Sequence, residues 1–292
     1  MSPRTVARYA PAKINLALHV TGRRADGYHL LDSLVVFTRF GDRIEVTEAE
    51  EDSFAVDGPF AAEVPVDGSN LVLRARDALT LEGPVAIRLT KNLPISSGIG
   101  GGSSDAAAVL AALGEIWGVQ GETLEEAARS LGADVPMCLR AQPLIARGIG
   151  HEIKALADFP ALALVLVNPG VAVSTPEVFA ALSERDNLPL PPLPKAIDFH
   201  SLRNWLETTR NDLEPAARSI APAIGVASKA LDRAGSGLTR MSGSGATCFG
   251  LFETGNVAKR AAAAIRARNP DWFVAATRSL SSQSEEFLHV DT

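Results

Sequence analysis

Cysteine is nearly absent from this chain of 292 residues: only Cys138 and Cys248 occur, far apart and with no Cys-x-x-Cys pairing. That excludes a disulfide-stapled scaffold and a zinc ribbon, and both residues read as small buried hydrophobes of a protein kept in a reducing compartment. The five histidines (His19, His29, His151, His200 and His289) are scattered, and no pair has zinc-ligand spacing. Long hydrophobic runs are also missing. The most apolar stretch, 161–167, is stopped by Asn168-Pro169-Gly170, far short of the roughly 20 residues that span a bilayer. The first eleven residues carry no apolar core of the signal-peptide kind. A cytoplasmic protein outside the membrane is expected. Basic residues are in deficit, 28 against 34 acidic for a net charge of −6, which argues against nucleic acid or an anionic membrane as partner.

What is there is a chain able to build a large core, with 46% hydrophobic and 21% charged residues, long enough for about two domains. The stretch that stands out is Leu93-Pro94-Ile95-Ser96-Ser97-Gly98-Ile99-Gly100-Gly101-Gly102-Ser103-Ser104-Asp105, which runs into an alanine- and leucine-rich segment with no break until Gly114. A glycine-rich loop thus feeds a predicted helix, with Ser103 or Ser104 as its N-cap. Glycines allow close backbone approach, and the open N–H groups of a helix start favour an anion such as phosphate. Two familiar phosphate loops fail here: no lysine follows Gly102, and the glycine spacing from Gly98 meets serine at 103.

Residues 12–20 alternate, with Ile14, Leu16, Leu18 and Val20 on one face and Lys13, Asn15, Ala17 and His19 on the other, the pattern of a half-buried strand. Lys13 and Asn15 then point the same way, about 7 Å apart. Asp26-Gly27 marks a turn, strands are predicted over 33–39, 42–47 and 53–56, and Asn70 caps a predicted helix over 71–81. Residues 85–90 alternate as a strand leading to the glycine loop, and Thr123 with Glu126 reads as a capping box. Past about residue 155 come a buried strand over 162–167, a short helix opened by Thr175-Pro176-Glu177, a proline-rich connection over 187–195, and helices over 199–209 and 216–234. Strands over 238–241, 248–252 and 272–278 and a helix over 257–268 follow. The fold class is α+β, and the order of elements in the second half is ferredoxin-like.

The string from Pro94 to Asp105 closely resembles the phosphate-binding loop of the GHMP small-molecule kinases. Pro11-Ala12-Lys13-Ile14-Asn15-Leu16 is similar to the N-terminal motif of that family, Gly132-Ala133-Asp134-Val135-Pro136 to the segment bearing its catalytic carboxylate, and Ser242-Gly243-Ser244-Gly245-Ala246 to its C-terminal glycine motif. Arg24-Ala25-Asp26-Gly27-Tyr28-His29, and Asn168-Pro169-Gly170 followed by Ser174-Thr175-Pro176, are similar to the branch acting on a cytidine-diphosphate-linked polyol. One departure is Gly148-Ile149-Gly150-His151-Glu152, where the pattern places glutamate directly after the second glycine.

The resemblance implies a two-domain kinase with an alcohol as acceptor, an ATP-binding domain over 1–155, a substrate-binding domain over 156–292, and ATP with Mg²⁺ as cofactors. ATP would lie on Pro94, Ile95, Ser96, Ser97, Gly98, Ile99, Gly100, Gly101, Gly102, Ser103 and Ser104, with Asn70 and Lys91 at the adenine and Ser104 or Asp105 toward the metal. Lys13 and Asp134 would be catalytic. On pattern alone, Asp134 could equally satisfy a turn and Lys13 could hold its head in water. Beside an ammonium, however, a carboxylate is held ionised and can accept the proton of an attacking hydroxyl. Asn15 would bind substrate or orient Asp134, Tyr28 would stack on the cytosine, and His29 would bond its edge. Phe179 would form a second aromatic wall with Thr175 nearby, and Gly243, Ser244 and Gly245 would close over the diphosphate. Kinases of homoserine, mevalonate or sugars, and a nucleotide sensor without activity, share the scaffold. Tyr28-His29 argues against the former, and Lys13, Asn15 and Asp134 together argue against the latter.

Overall fold

Strand β1 (Thr5–Arg23) and strand β2 (His29–Glu48) form a long antiparallel ribbon to which both halves of the protein attach. The computed structural model describes residues 3–79, 83–284 and 288. Where two strands are expected over 33–39 and 42–47, β2 is continuous. Gly41 makes no turn; a Cβ there would stand 2.2 Å from the Ala10 carbonyl oxygen, so glycine lets the two strands pass at close range.

Strand β3 (Ser53–Asp57), helix α1 (Leu71–Ala78), strand β4 (Val85–Thr90), helices α2 (Gly101–Trp117), α3 (Glu122–Leu131) and α4 (Val135–Arg140), and strands β5 (Leu144–Gly148) and β6 (Glu152–Ala155) complete the first sheet and its helical layer. The sheet order is β3-β4-β2-β5-β6, with β1 against β2. Asn70 caps α1 as expected, its side chain accepting from the Val72 N–H. The helix stops at Ala78, and positions 80 and 81 of the predicted helix lie outside the described residues. The capping box at Thr123 and Glu126 does not form, because the N-cap of α3 is Gly121, two residues earlier, and Thr123 lies inside the first turn.

Strand β7 (Ala163–Asn168), helices α5 (Thr175–Ala180), α6 (Phe199–Glu207), α7 (Glu214–Ile220) and α8 (Ala223–Arg233), strands β8 (Leu238–Met241) and β9 (Cys248–Phe252), helix α9 (Gly255–Arg268) and strand β10 (Phe273–Arg278) form the second half. Its antiparallel sheet runs β10-β7-β9-β8, the fourth, first, third and second strands of a ferredoxin-like unit. The single helix expected over 216–234 is two. Pro222 lacks an N–H and pushes Ala221 (φ −129, ψ 85) out of helical geometry. The N-cap of α5 is Ser174, not Thr175, and Pro176 still sits in its first turn.

Strand β1 is buried on both faces, so the half-buried expectation fails. On one side Val35, Phe37, Ile44 and Val46 of β2 pack with Val109, Leu110 and Leu113 of α2. On the other, Ile14, Leu16, Leu34 and Val36 meet Leu164, Leu166, Phe249 and Leu251 of the second sheet. The polar positions Lys13 and Asn15, which alternation alone assigns to water, are buried at the edge of the cleft. Buried Arg240 joins the halves, donating to the carbonyls of Leu16 (2.7 Å), Leu206 (2.8 Å) and Thr209 (2.8 Å). Desolvation lowers its pKa to about 10, so it stays charged at neutral pH. Cys138 and Cys248 are free and buried, as expected, with thiols pushed up to about 12 by burial. Among the described residues, no helix is long and apolar enough to cross a membrane.

Candidate active site

Strand β4 delivers the chain into the glycine loop, and α2 begins behind Gly100, whose φ of 65 is left-handed. Ser103 and Ser104 therefore lie inside the helix, and neither caps it. The Ser104 hydroxyl is buried and donates to the Pro11 carbonyl at 2.6 Å, and Ser104 is not among the residues lining the cleft. Ile99 is also buried, its carbonyl accepting the Lys13 N–H at 2.8 Å. Pro94, Ile95, Ser96, Ser97, Gly98, Gly100, Gly101, Gly102 and Ser103 do line the cleft. The first N–H groups of α2 have no intrahelical acceptor, and the positive dipole end suits an anion.

Beneath this loop lies a buried charge cluster that the sequence reading missed. The Lys91 ammonium donates to Oδ2 of both Asp42 and Asp105, each at 2.6 Å, and the residue lines the cleft as expected. Asp42 Oδ1 also accepts the N–H groups of Asn92 (2.6 Å) and Leu93 (2.8 Å). Burial, opposed by Lys91 and reinforced by Asp42, holds the Asp105 carboxyl well above its ordinary 3.8, and its Oδ1 has no partner. The cluster supports the loop floor. Asn70 is likewise occupied, its amide donating to Pro65 O at 2.6 Å while its oxygen caps α1. It builds the wall formed with Val64, Pro65 and Leu71, apolar positions that carry no motif.

Lys13 and Asn15 share a face of β1, as the alternation predicts, and both line the cleft. The Lys13 ammonium lies 2.6 Å from Asp134 Oδ2. Asp134 stands at the start of α4 with its side chain 41% exposed, while that of Lys13 is 8% exposed. The carboxylate thus faces the cleft with the cation beneath it. Asn15 does not bond Asp134; its amide donates to Ser33 Oγ at 2.8 Å.

The second glycine motif docks on the first. Ser242 Oγ accepts the Asn15 N–H at 3.1 Å and donates to the Gly98 carbonyl at 3.0 Å. A Cβ on Gly98 (φ +75) would stand 2.5 Å from Ser242 O, and one on Gly243 2.7 Å from Gly98 O. Gly243 and Ser244 line the cleft, whereas Gly245 does not. The Ser244 and Thr175 hydroxyls are 2.7 Å apart.

At the far end Tyr28 is 62% exposed. His29 stacks on Phe179 with ring centroids 4.9 Å apart, and its Nε2 is buried without a partner. Phe179 is both cleft wall and core, since it also packs on the second hydrophobic cluster. Burial, then the guanidinium groups of Arg23 and Arg185, hold the His29 imidazole below its ordinary 6.5. Neither arginine stood out in the sequence. Ile149 and Gly150 of the departing segment line the cleft, while the Glu152 side chain is 63% exposed beyond it. Loop, ion pair and aromatic group share one cleft of about 1430 Å³, larger than the usual site for one small ligand.

The GHMP kinases N-terminal domain family matches residues 70–142, and the GHMP kinases C-terminal family matches residues 193–271. A 4-diphosphocytidyl-2-C-methyl-D-erythritol kinase of Mesorhizobium japonicum is 68% identical over 285 residues, covering 95% of this chain and 97% of that protein. The chain belongs to the GHMP kinase family. The kinase is also 53% identical over 291 residues to the protein of that name from Brucella melitensis, covering 96% of this chain and 97% of that protein. A solved 4-(cytidine 5'-diphospho)-2C-methyl-D-erythritol kinase shares its architecture at a TM-score of 0.76 with 36% identity, covering 94% of this chain and all of that one. Homoserine kinase from Cytophaga hutchinsonii, 19% identical with a TM-score of 0.62 over 95% of each chain, shares the fold. Among the described residues, no group of three or more His, Cys, Asp or Glu side chains could hold a metal ion; His289 lies outside them.

Proposed function

We propose that this kinase transfers the γ-phosphoryl group of ATP to the tertiary 2-hydroxyl of 4-diphosphocytidyl-2-C-methyl-D-erythritol, a cytoplasmic step of non-mevalonate isoprenoid precursor synthesis. The observation that carries the reading is the Lys13–Asp134 pair at 2.6 Å, in a cleft that also holds the glycine loop and Tyr28, His29 and Phe179. ATP lies with its phosphates on loop 94–103 and the α2 N-terminus, in the domain we assign to 1–155. Domain 156–292 contributes Thr175, Phe179, Gly243 and Ser244 to the acceptor site.

Phosphoryl transfer passes through a loose transition state, so positioning and charge stabilisation carry most of the catalysis. Asp134, exposed toward the cleft, accepts the proton of the attacking hydroxyl. Lys13 keeps that carboxylate in place and offsets charge on the moving phosphoryl group. Tyr28 and Phe179 offer π faces to the cytosine, and the unpartnered His29 Nε2 bonds its edge. Mg²⁺ would be held by ATP phosphate oxygens and water, since among the described residues no group of three or more His, Cys, Asp or Glu side chains is placed to hold it.

Phosphorus NMR of a reaction with Mg-ATP and the cytidyl substrate tests this reading. One new phosphomonoester on carbon 2 of the polyol, appearing in step with ADP, is expected. Phosphate on another carbon, or ADP without a new ester, contradicts it.

A further inference from the structure

The register of β1 against β2 slips between Asn15 and Ala17, and the Ser33 side chain fills the irregularity. Ser33 Oγ lies 2.7 Å from the Ala17 carbonyl and 2.8 Å from Asn15 Nδ2, and Ser33 is 2% exposed. A carbonyl oxygen only accepts, so the one hydroxyl proton of Ser33 goes to Ala17. The serine oxygen is then left as an acceptor, and the group that Asn15 presents to it must be the NH₂. The Asn15 carbonyl oxygen is consequently turned away from Ser33. It is buried, without a partner, on a residue that lines the cleft beside Lys13. This order of donors fixes the amide orientation through a backbone carbonyl, whose polarity is not in question.

From this chain of hydrogen bonds we propose that Ser33 is a positioning residue for substrate selection: it locks Asn15 as a pure acceptor, so that the cleft takes an alcohol with a second free hydroxyl. The inference rests on the proposed polyol substrate. The reacting hydroxyl donates to Asp134, and a neighbouring hydroxyl of the same polyol donates to Asn15 Oδ1. A buried carbonyl oxygen left without a donor is costly, and the substrate relieves that cost on binding. Without Ser33 the amide can flip and present N–H groups to a hydroxyl that then has to accept.

A double-mutant cycle on Ser33→Ala and Asn15→Ala tests the linkage, read as kcat/KM for the cytidyl substrate and KM for ATP. Ser33→Ala is expected to lower kcat/KM by about tenfold, the size of one hydrogen bond, with KM for ATP unchanged. Ser33→Thr, which keeps the hydroxyl, is expected to recover most of the loss. In the Asn15→Ala background, removing Ser33 is expected to cost less than about twofold, because its effect runs through Asn15. Multiplying losses, or full activity in Ser33→Ala, overturns the proposal. Amide hydrogen exchange of the Asn15 side chain in the free protein gives a second readout, independent of turnover. Protected Nδ2 protons that become fast in Ser33→Ala support the lock, and fast exchange in the wild type refutes it even if the cytidyl compound proves not to be the substrate.

Discussion

Lys13 and Asp134, 121 residues apart in the chain, meet with Nζ 2.6 Å from Oδ2 at the centre of the cleft. The lysine comes from a strand buried on both faces, and the aspartate from the start of a six-residue helix. Replacing Asp134 by Asn keeps the shape but removes the proton acceptor. It is expected to lower kcat by about 10²–10⁴ with little change in melting temperature, as measured by steady-state kinetics and thermal melts. Lys13→Met is expected to lower kcat by about 10²–10³.

The Lys91, Asp42 and Asp105 cluster predicts three different outcomes for three similar changes. Lys91→Met leaves two facing buried carboxylates and is expected to cost about 3–5 kcal/mol. Asp42→Asn also destabilises, because both Asp42 oxygens receive donors and an amide nitrogen would face one of them. Asp105→Asn is expected to cost less than either, since burial already works against the charge of the native carboxyl. The sign of the pH dependence follows from linkage. With its pKa raised in the folded state, Asp105 retains a proton that the unfolded chain releases above about 3.8, so its contribution to stability falls as pH rises from there. Chemical denaturation of wild type and Asp105→Asn across pH is therefore expected to show the variant gaining relative stability toward higher pH.

His29 supplies a pH test of substrate recognition. Held below its ordinary 6.5 by burial and by Arg23 and Arg185, it is neutral at pH 7. KM for the cytidyl substrate is expected to rise as the pH is lowered and the imidazole protonates, with the rise displaced to lower pH than for an ordinary imidazole. His29→Ala removes this rise, while KM for ATP is unaffected in both proteins.

Gly98 is the contact point of the two glycine loops. A Cβ there meets Ser242 O at 2.5 Å and the Gly245 nitrogen at 2.6 Å, at a φ of +75. Backbone cannot yield as a side-chain tip can. Gly98→Ala is expected to cost upward of about 2 kcal/mol and to raise KM for both substrates together, in contrast to the one-substrate effect at His29.

Much of this architecture was legible because local signals and tertiary packing agree. The 85–90 alternation, the Asn70 cap and the order of the last strands all appear where the sequence placed them. The failures arise where a distant segment decides. Gly41 reads as a break but serves the passage of β1, which only the fold brings near. Asp42 and Asp105, the ion-pair partners of Lys91, reach it from two other elements and carry no local signal. Ser104 looks like a cap, yet it lies inside α2 with its hydroxyl on the Pro11 carbonyl. Arg23 and Arg185 belong to no motif, and their effect on His29 exists only once α5 folds beside the β1–β2 turn.

The most direct test of the central claim is the initial rate of ADP release with Mg-ATP and each of four acceptors: the cytidyl methylerythritol, homoserine, mevalonate and galactose. Turnover confined to the cytidyl compound, and lost in Asp134→Asn, is the predicted result. Comparable turnover on a simple alcohol, or no acceptor-dependent ADP at all while ATP still binds, would contradict it.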